Sequence, residues 1–328
     1  MVKLTKILIT GGTGYVGAAV AKNLAMKGYH SIAYDNVFRE IDLPAKASGN
    51  IKYITGDITD LSHLVEICDK EDIVGIIHLA AAKRESFCKE FPSVAYRINV
   101  QGTHNVLEVA RLKKLRRVVM VSTGAVFGEW SDPNISIKEE DPVSPIGMYA
   151  NMKYAAERLV HAYSDVFGLS AAIVRISRVY GPGTRVPKLE YGTGPIPVLL
   201  SKALQSNLVK EETGADYMAN FSYIKDVAKG IGLAYLKEDK GCCLFHIGSD
   251  ENYSVLEIAE ALMKVLPGIK IEVGPGSAPY DQQAPVRGPF SIELAKKVLG
   301  FNPEYSLERG IKELVEWIKS TDKISSRQ

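Results

Sequence analysis

Residues 7–17, which read ILITGGTGYVG, constrain the fold of this chain more than any other stretch. An apolar run enters a glycine cluster in which Gly12, Gly14 and Gly17 make a G-x-G-x-x-G pattern. Gly11 begins an overlapping G-x-x-G-x-x-G pattern. Glycines allow a tight turn and a close approach of the backbone to an anion, and the following helix offers free N–H groups. The stretch therefore predicts a strand, a phosphate-binding turn and a helix.

Acidic residues at the ends of the next strands indicate a dinucleotide. Asp35, in AYDN, lies at about the distance from the glycines that dinucleotide binding requires. A carboxylate accepts hydrogen bonds from a ribose diol and repels a 2′-phosphate, which favours NAD over NADP. A turn residue ahead of Asn36 is the alternative interpretation of Asp35. Asp57, in ITGDITD, either reaches the adenine or caps the helix that follows.

The first half of the chain alternates short β-branched runs with longer stretches of helical period, which predicts parallel strands joined by helical crossovers. The predicted fold class is α/β: a doubly wound parallel sheet of the Rossmann type with a smaller C-terminal α/β substrate lobe. Strands are predicted at residues 6–10, 31–34, 51–54, 73–79, 117–122 and 171–176. Helices are predicted at residues 15–27, 62–70, 93–112 and 148–167.

Two domains are expected in a chain of this length. Residues 1–176 are predicted to form the NAD-binding domain, to which segments near residues 221–248 return. Residues 177–328 are predicted to form mainly the substrate-binding lobe. Residues 181–197, rich in Gly and Pro, predict an irregular segment over a ligand cleft.

Composition limits the partners and the compartment. The chain has 328 residues with 40 basic against 38 acidic side chains, so charge gives no drive toward nucleic acid or an anionic membrane. Four cysteines are too few for a disulfide framework, and no window has the apolar length of a membrane span. We therefore expect a cytoplasmic protein with reduced thiols and a small-molecule substrate, and we assign no residues to a metal.

One pair of residues indicates proton transfer. Tyr149 and Lys153 are four residues apart on a predicted helix, so they face the same way. A neighbouring ammonium favours the phenolate form of a tyrosine, which makes the pair a proton shuttle. The strand before STGAVFG places Ser122 and Thr123 at the carboxyl end of the sheet, where ligands of open α/β folds bind. A hydroxyl there can hydrogen-bond the substrate oxygen that Tyr149 protonates or deprotonates.

Together these features resemble the extended short-chain dehydrogenase/reductase family, often labelled NAD-dependent epimerase/dehydratase, and its UDP-glucose 4-epimerase-like members in particular. The resemblance covers nearly the whole chain and includes TGGTGYVG, AYDN, GDITD, HLAA, NVQGT, STGAVFG, RVYGPG, YIKDVA and LGFNPEYSLERGI. It implies NAD as the cofactor, Thr123 and Tyr149 as catalytic residues, and Lys153 as a catalytic residue that holds the nicotinamide ribose. His78 is interpreted instead as a structural histidine at a strand end. The cofactor-binding residues that the resemblance implies are Gly11, Gly14, Tyr15, Val16, Gly17, Asp35, Asn36, Asp57, Ile58, Ala80, Ala81, Lys83, Asn99, Tyr149 and Lys153.

Departures from the family pattern reduce the number of reactions that this chain is expected to catalyse. The 4,6-dehydratases and UDP-glucuronate decarboxylases carry acids just after the catalytic Thr, where this chain has Gly124 and Ala125. Elimination is therefore disfavoured, and the Cys of fucose-synthase-type epimerases is missing from STGAVFG. Two reactions remain: transient oxidation of a sugar C4 hydroxyl with return of the hydride to the other face, and net dehydrogenation.

The substrate site departs from the pattern as well. Ala219 stands where sugar-nucleotide members usually carry a phosphate-binding Arg, whereas Arg287 matches a second such Arg. Arg178 or Arg185 can supply the missing charge by a bidentate contact, although an ion pair in the cleft wall explains Arg178 as well. The leading hypothesis is an NAD-dependent nucleotide-sugar 4-epimerase.

The main alternative is an NAD-dependent dehydrogenase of a small sugar, sugar acid, polyol or hydroxy amino acid with the same triad, which Ala219 favours. A non-catalytic dinucleotide sensor has no use for such a triad. The resemblance also implies a homodimer formed through residues 93–112 and 148–167, on faces that carry Val100, Val106, Ala155 and Val166. Packing of these helices on their own sheet explains the same pattern.

Overall fold

The computed structural model describes residues 6–41, 43, 45–47, 49–130, 132–183, 194–237, 240–280 and 285–325. Within these ranges, no helix combines the length and the apolar character needed to cross a membrane. The strands are β1 (Lys6–Thr10), β2 (His30–Asp35), β3 (Ile51–Thr55), β4 (Ile73–His78), β5 (Arg117–Thr123), β6 (Ala171–Ile176), β7 (Arg178–Tyr180), β8 (Leu208–Glu211), β9 (Met218–Tyr223), β10 (Cys242–Ile247), β11 (Asn252–Ser254) and β12 (Lys270–Val273). The helices are α1 (Tyr15–Met26), α2 (Leu61–Lys70), α3 (Glu85–Glu90), α4 (Pro92–Tyr96), α5 (Gly102–Leu112), α6 (Gly147–Phe167), α7 (Pro195–Gln205), α8 (Ile224–Leu236), α9 (Val255–Val265), α10 (Glu293–Leu299) and α11 (Leu307–Ser325).

Seven strands form the central parallel sheet in the order β10-β6-β5-β4-β1-β2-β3. The strand order reverses at β1, and in open α/β sheets ligands bind at the carboxyl ends of the strands beside such a switch point. The predicted doubly wound parallel sheet is confirmed. The six strands predicted for it begin and end within one residue of the observed strands.

Both faces of this sheet are buried, which explains why its strands are continuous apolar runs. In β1, Ile7 and Ile9 pack into the hydrophobic core on one face, and Leu8 packs into the core on the other. Parallel sheets covered by helices on both sides have this pattern. The position of a residue along such a strand is therefore set by apolar packing, and polar side chains collect where the strands end.

The C-terminal part of the chain adds two small sheets, β11-β9-β7 and β12-β8, with a hydrophobic core of their own. Of the segment predicted to return to the central sheet, α8 packs on α1 and β10 pairs with β6. Residues 221–223 do not return, because they complete β9 and pair with β7. The aromatic side chains of Phe221 and Tyr223 are buried in the C-terminal core, which holds these residues there.

The helix predicted at residues 93–112 is confirmed, and the structure adds one interruption of its α-helical hydrogen bonding. After α4, one turn of π-helix spans Arg97–Gln101, and α5 follows it. Within this turn Asn99 is 1% exposed and hydrogen-bonds outside its helix, to the loop that follows β4. Single π turns occur often at functional sites. Apolar periodicity alone gives no sign of this interruption.

Candidate active site

The glycine turn between β1 and α1 has the geometry that its sequence predicts. Gly11 has a φ of 69°, and a Cβ atom there would lie 2.7 Å from the backbone nitrogen of Ala80. A Cβ atom on Gly17 would overlap the carbonyl oxygen of Gly11. The N-terminus of α1 has no side-chain cap and no acidic residue in its first turn. Its N–H groups and its dipole are therefore free to bind an anion.

A cavity of about 840 Å³ opens beside this turn, at the carboxyl ends of the strands. Its wall contains most of the residues that the sequence assigns to the site. Those in the wall are Gly11, Gly14, Tyr15, Val16, Gly17, Asp35, Asn36, Asp57, Ile58, Ala80, Ala81, Lys83, Thr123, Tyr149, Lys153 and Arg178. Asn99 and Arg287 lie outside the wall, and Arg185 lies outside the described residues.

Asp35 and Asp57 close one end of the cavity. Asp35 accepts hydrogen bonds from the backbone N–H of Thr13 at 3.2 Å and from that of Val37 at 3.3 Å. Asp57 accepts from the backbone N–H of Thr59 at 2.8 Å, which is a local turn. The cap of α2 is Asp60, so the interpretation of Asp57 as a helix cap is wrong.

Asn99 shapes the cavity from behind its wall. Its side-chain oxygen accepts from the backbone N–H of Ala82 at 2.8 Å, and its amide donates to the Ala82 carbonyl at 3.0 Å. This double contact fixes the backbone of the loop after β4, which carries Ala80 and Ala81 into the wall. Asn99 therefore orders the loop through the backbone of Ala82.

Thr123, Tyr149 and Lys153 meet at the other end of the cavity. Burial raises the pKa of the Tyr149 phenol to about 12, and a hydrogen bond with Thr123 opposes this rise. Burial lowers the pKa of the Lys153 ammonium to about 8, and the carboxylate of Glu157 opposes this fall. The Lys153 ammonium donates to the Val121 carbonyl at 2.8 Å. The three side chains thus form an acid/base group whose charges depend on a few buried neighbours.

His78, the strand-end histidine, is a structural residue. Its ring nitrogens lie 2.7 Å from the hydroxyl of Thr10 and 3.1 Å from the hydroxyl of Thr103. Burial and the charge of Lys153 lower its pKa to about 3, so the ring is neutral near pH 7. A neutral ring held by two hydroxyls joins β1, β4 and α5 beneath the cavity.

Glu85 is a residue of the site that the motifs do not reveal. Its carboxylate accepts hydrogen bonds from the backbone N–H groups of Met148 and Tyr149, both at 2.9 Å. Ile146, at the N-cap position of α6, offers no side-chain acceptor. Glu85, from α3, therefore caps the helix that carries Tyr149. Sequence capping rules search near the start of the same helix, whereas this cap comes from a distant segment.

Arg178 and Arg287 form a basic region next to the cavity. Arg178 donates to the hydroxyl of Tyr217 at 2.7 Å, and Arg287 donates to the Gly128 carbonyl. Burial and the charge of Arg178 lower the pKa of Arg287 to about 10. In the part of the chain that the structure describes, both of these contacts are to neutral oxygens.

The wall also contains residues that the motifs left unassigned: Thr13, Tyr34, Arg39, Arg84, Phe87 and Ser177. Two of them follow assigned residues closely in the chain. Arg39 lies four residues after Asp35, and Arg84 follows Lys83 directly. Burial and the charge of Arg84 lower the pKa of Lys83.

Comparison of the whole chain with known proteins finds members of one enzyme family. The model of the NAD dependent epimerase/dehydratase family matches residues 7–248. A UDP-glucuronate 4-epimerase of Thermodesulfobacterium geofontis is 30% identical over 323 residues, which cover 95% of each chain. A UDP-N-acetyl-alpha-D-glucosaminuronate decarboxylase of Bacillus cytotoxicus is 29% identical over 328 residues, covering 97% of this chain and 98% of the relative. The structure of MoeE5 in complex with UDP-glucose and NAD superposes with a TM-score of 0.80 at 26% identity, covering 96% of this chain and 99% of MoeE5.

Proposed function

The chain belongs to the NAD dependent epimerase/dehydratase family and is an NAD-dependent enzyme of the extended short-chain dehydrogenase/reductase type, and we propose that it is a nucleotide-sugar 4-epimerase. The observation that carries the proposal is the shared cavity. A phosphate-binding turn and an acidic end lie on one side of it, and the group of Thr123, Tyr149 and Lys153 lies on the other.

NAD fits the residues at the acidic end. The backbone of Gly11 and Gly17 leaves no room for a Cβ atom, so the chain can approach a pyrophosphate at the free N-terminus of α1. The Asp35 carboxylate, at the end of β2, suits a ribose diol. The predicted cofactor-binding residues in the wall would hold the molecule along the strand ends, with Lys153 at the nicotinamide ribose. NAD, when bound, accepts a hydride from a sugar carbon and can return it.

Tyr149 is proposed as the acid/base at the reacting hydroxyl. Its phenolate takes the proton from the sugar oxygen during oxidation, and the phenol so formed gives the proton back during reduction. The hydrogen bond with Thr123 favours the phenolate against the effect of burial, and the Lys153 ammonium lies one helical turn away. Thr123 also offers a hydroxyl to the same substrate oxygen.

The surroundings of Gly124 argue against elimination and decarboxylation. A Cβ atom on Gly124 would lie 2.6 Å from the ring of Phe290. Phe290 is 3% exposed and stacks on His246 with ring centroids 4.2 Å apart, so it has little room to move. An acidic side chain at position 124 would therefore require Phe290 to shift.

Arg178 and Arg287 are proposed to bind the diphosphate of the substrate. Two guanidiniums that repel each other while partly buried gain most when a dianionic group lies between them. Ala219 stands where sugar-nucleotide members of the family usually carry another phosphate-binding Arg. It is a 7% exposed residue of β9 and pairs with Tyr253. Residues 177–328 would then supply most of the substrate contacts.

Net dehydrogenation of a smaller substrate is the second candidate, and Ala219 is the observation that favours it. A direct experiment separates the two. Purified protein with NAD is incubated with UDP-glucose, UDP-galactose, UDP-glucuronate, and a panel of free sugar acids and polyols. Conversion of a nucleotide sugar to its 4-epimer without accumulation of NADH supports the epimerase, whereas steady formation of NADH with only an unactivated substrate overturns it.

Assembly and location stay proposals as well. We propose a homodimer through α5 and α6, where Leu112, Val166 and Phe167 are exposed. Val106, which was expected on this face, is fully buried in the core of its own subunit. It therefore takes no part in a dimer surface. Cytoplasmic location is proposed on the sequence alone.

A further inference from the structure

A buried ionic cluster lies behind the acid/base residues. Glu157 and Arg175 are 1% and 3% exposed. The Arg175 Nε donates to Glu157 Oε1 at 3.0 Å and its Nη2 donates to Oε2 at 2.7 Å, which makes a bidentate pair. The hydroxyl of Ser122 donates to the same Oε1 atom. Both oxygens of the Glu157 carboxylate are thus fixed by donors from β5 and β6.

The position of this cluster connects it to the cavity. Glu157 follows Lys153 by one turn of α6, a spacing that places the two Cβ atoms about 5–6 Å apart. Ser122 lies in the cavity wall and directly precedes Thr123. The cluster therefore lies next to the acid/base group, and Lys153, Glu157 and Arg175 are all buried.

Lys153 needs a compensating charge. Its side chain is buried, its described hydrogen bond is to a neutral carbonyl, and an ammonium taken out of water loses its proton readily unless a negative charge lies near it. The carboxylate that raises the pKa of Lys153 is that of Glu157. In the part of the chain that the structure describes, the other titratable or charged groups facing this region are Tyr149 of α6, His78 of β4, Glu85 and Cys88 of α3, and Arg175 of β6.

We propose that Glu157 is a positioning residue for the proton shuttle: its buried carboxylate keeps Lys153 in the ammonium form beside Tyr149, while Arg175 and Ser122 hold that carboxylate in place. The inference rests on the proposed function in the role that it gives to Lys153. It assigns a chemical role to an ion pair that would otherwise be only a link between α6 and β6.

If the ion pair only linked α6 to β6, its removal would leave the pKa of Lys153 unchanged. The titration of Lys153 is therefore the test. Two variants are compared with the wild type: Glu157→Gln, and Glu157→Gln/Arg175→Met, which removes both charges of the ion pair, leaves no unpaired Arg175 and guards against loss of folding. Glu108→Gln is the matched control, because Glu108 makes a bidentate pair with Arg111 on α5, away from the cavity.

The first readout needs no substrate. Full-length protein with ¹⁵N-labelled lysine side chains and bound NAD is titrated by NMR, and the Lys153 signal is assigned by its loss in Lys153→Met. We expect the pKa of Lys153 to fall by about 1–2 units in Glu157→Gln, less in the double variant, and not in Glu108→Gln. An unchanged Lys153 titration in both Glu157 variants would overturn the proposal, even if both are inactive.

The second readout is the pH profile of turnover. Loss of the Lys153 proton ends activity at high pH, so the alkaline limb of kcat should move to lower pH in both Glu157 variants. A lowered kcat with an unmoved alkaline limb contradicts the proposal. If no nucleotide sugar is converted by the wild type, the proposed function fails while the NMR titration still decides the role of Glu157.

Discussion

The two ends of the cavity are built in different ways. At the end that holds Asp35, the wall comes from successive strand-loop-helix units, and each residue follows the strand that positions it. At the end that holds Tyr149, the neighbouring groups come from segments far apart: Glu85 caps α6, and Arg178 and Arg287 approach from the C-terminal part. The residues at the first end follow a local sequence pattern. The groups around Tyr149 at the second end come together only when distant segments fold against each other.

This difference predicts that substitutions at the two ends separate cofactor binding from turnover. The largest effect is expected at the end that holds Tyr149. Tyr149→Phe removes the phenolic proton while keeping the ring, and general acid–base catalysis contributes about 10²–10⁴-fold. We expect kcat to fall by that factor and the affinity for NAD, measured by fluorescence titration, to stay within about twofold. Tyr154→Phe on the same helix is the control, and equal losses in both variants would contradict the role of Tyr149.

The next effect should be confined to the cofactor end. Gly17→Ala places a Cβ atom against the Gly11 carbonyl, so the turn must open and its N–H groups move away from the pyrophosphate. We expect NAD affinity to fall by at least about tenfold. Gly232→Ala in α8 is the matched control, because the nearest atom to its added Cβ lies 3.4 Å away, an ordinary contact. NAD binding that is unchanged in Gly17→Ala would refute the assignment of the turn.

A substitution at the proposed substrate site should weaken binding of the sugar and leave binding of NAD unchanged. Arg287→Met removes one of two proposed diphosphate ligands, and a charged hydrogen bond contributes about 1.5–3 kcal/mol. KM for the nucleotide sugar should therefore rise by about 10–100-fold with NAD affinity unchanged. Arg309→Met, at an exposed position of α11, is the control. A KM that does not change in Arg287→Met would show that Arg287 does not bind the diphosphate.

The smallest effect is expected at the cap of α6. Glu85→Ala leaves the N–H groups of Met148 and Tyr149 without their acceptor, and loss of a cap costs about 1 kcal/mol. Thermal unfolding should show that loss, and kcat should fall several-fold because Tyr149 is held less firmly. Glu90→Ala on the same short helix serves as the comparison. A Glu85 variant that unfolds at the wild-type temperature would show that the cap contributes nothing.

How far the sequence predicts the structure follows the same division. Six of the seven strands of the central sheet and the turn before α1 were predicted within one residue, because apolar runs and glycines act locally. The division of residues 93–112 was missed, because Asn99 bonds to Ala82, which is 17 residues away. Val106 was expected on a free face and is buried, because periodicity shows an apolar face without showing what covers it.

The proposed site shows the same limit. Most predicted cofactor residues lie in the wall because a parallel sheet brings its carboxyl ends to one edge. Glu85, Glu157 and Arg175 carry no recognisable motif, since their importance lies in contacts between helices and strands distant in sequence. Arg185 stays a prediction.

In the proposed reaction, the same sugar carbon is first oxidised and then reduced while the sugar stays in one cavity. The most direct test uses UDP-glucose and UDP-glucuronate that carry deuterium at C4, with the purified protein and unlabelled NAD. We expect the 4-epimer of at least one of them to form with the deuterium still at C4, while the near-ultraviolet absorbance of NADH does not grow. Transfer of the deuterium to a growing pool of reduced cofactor, without formation of the epimer, would contradict it.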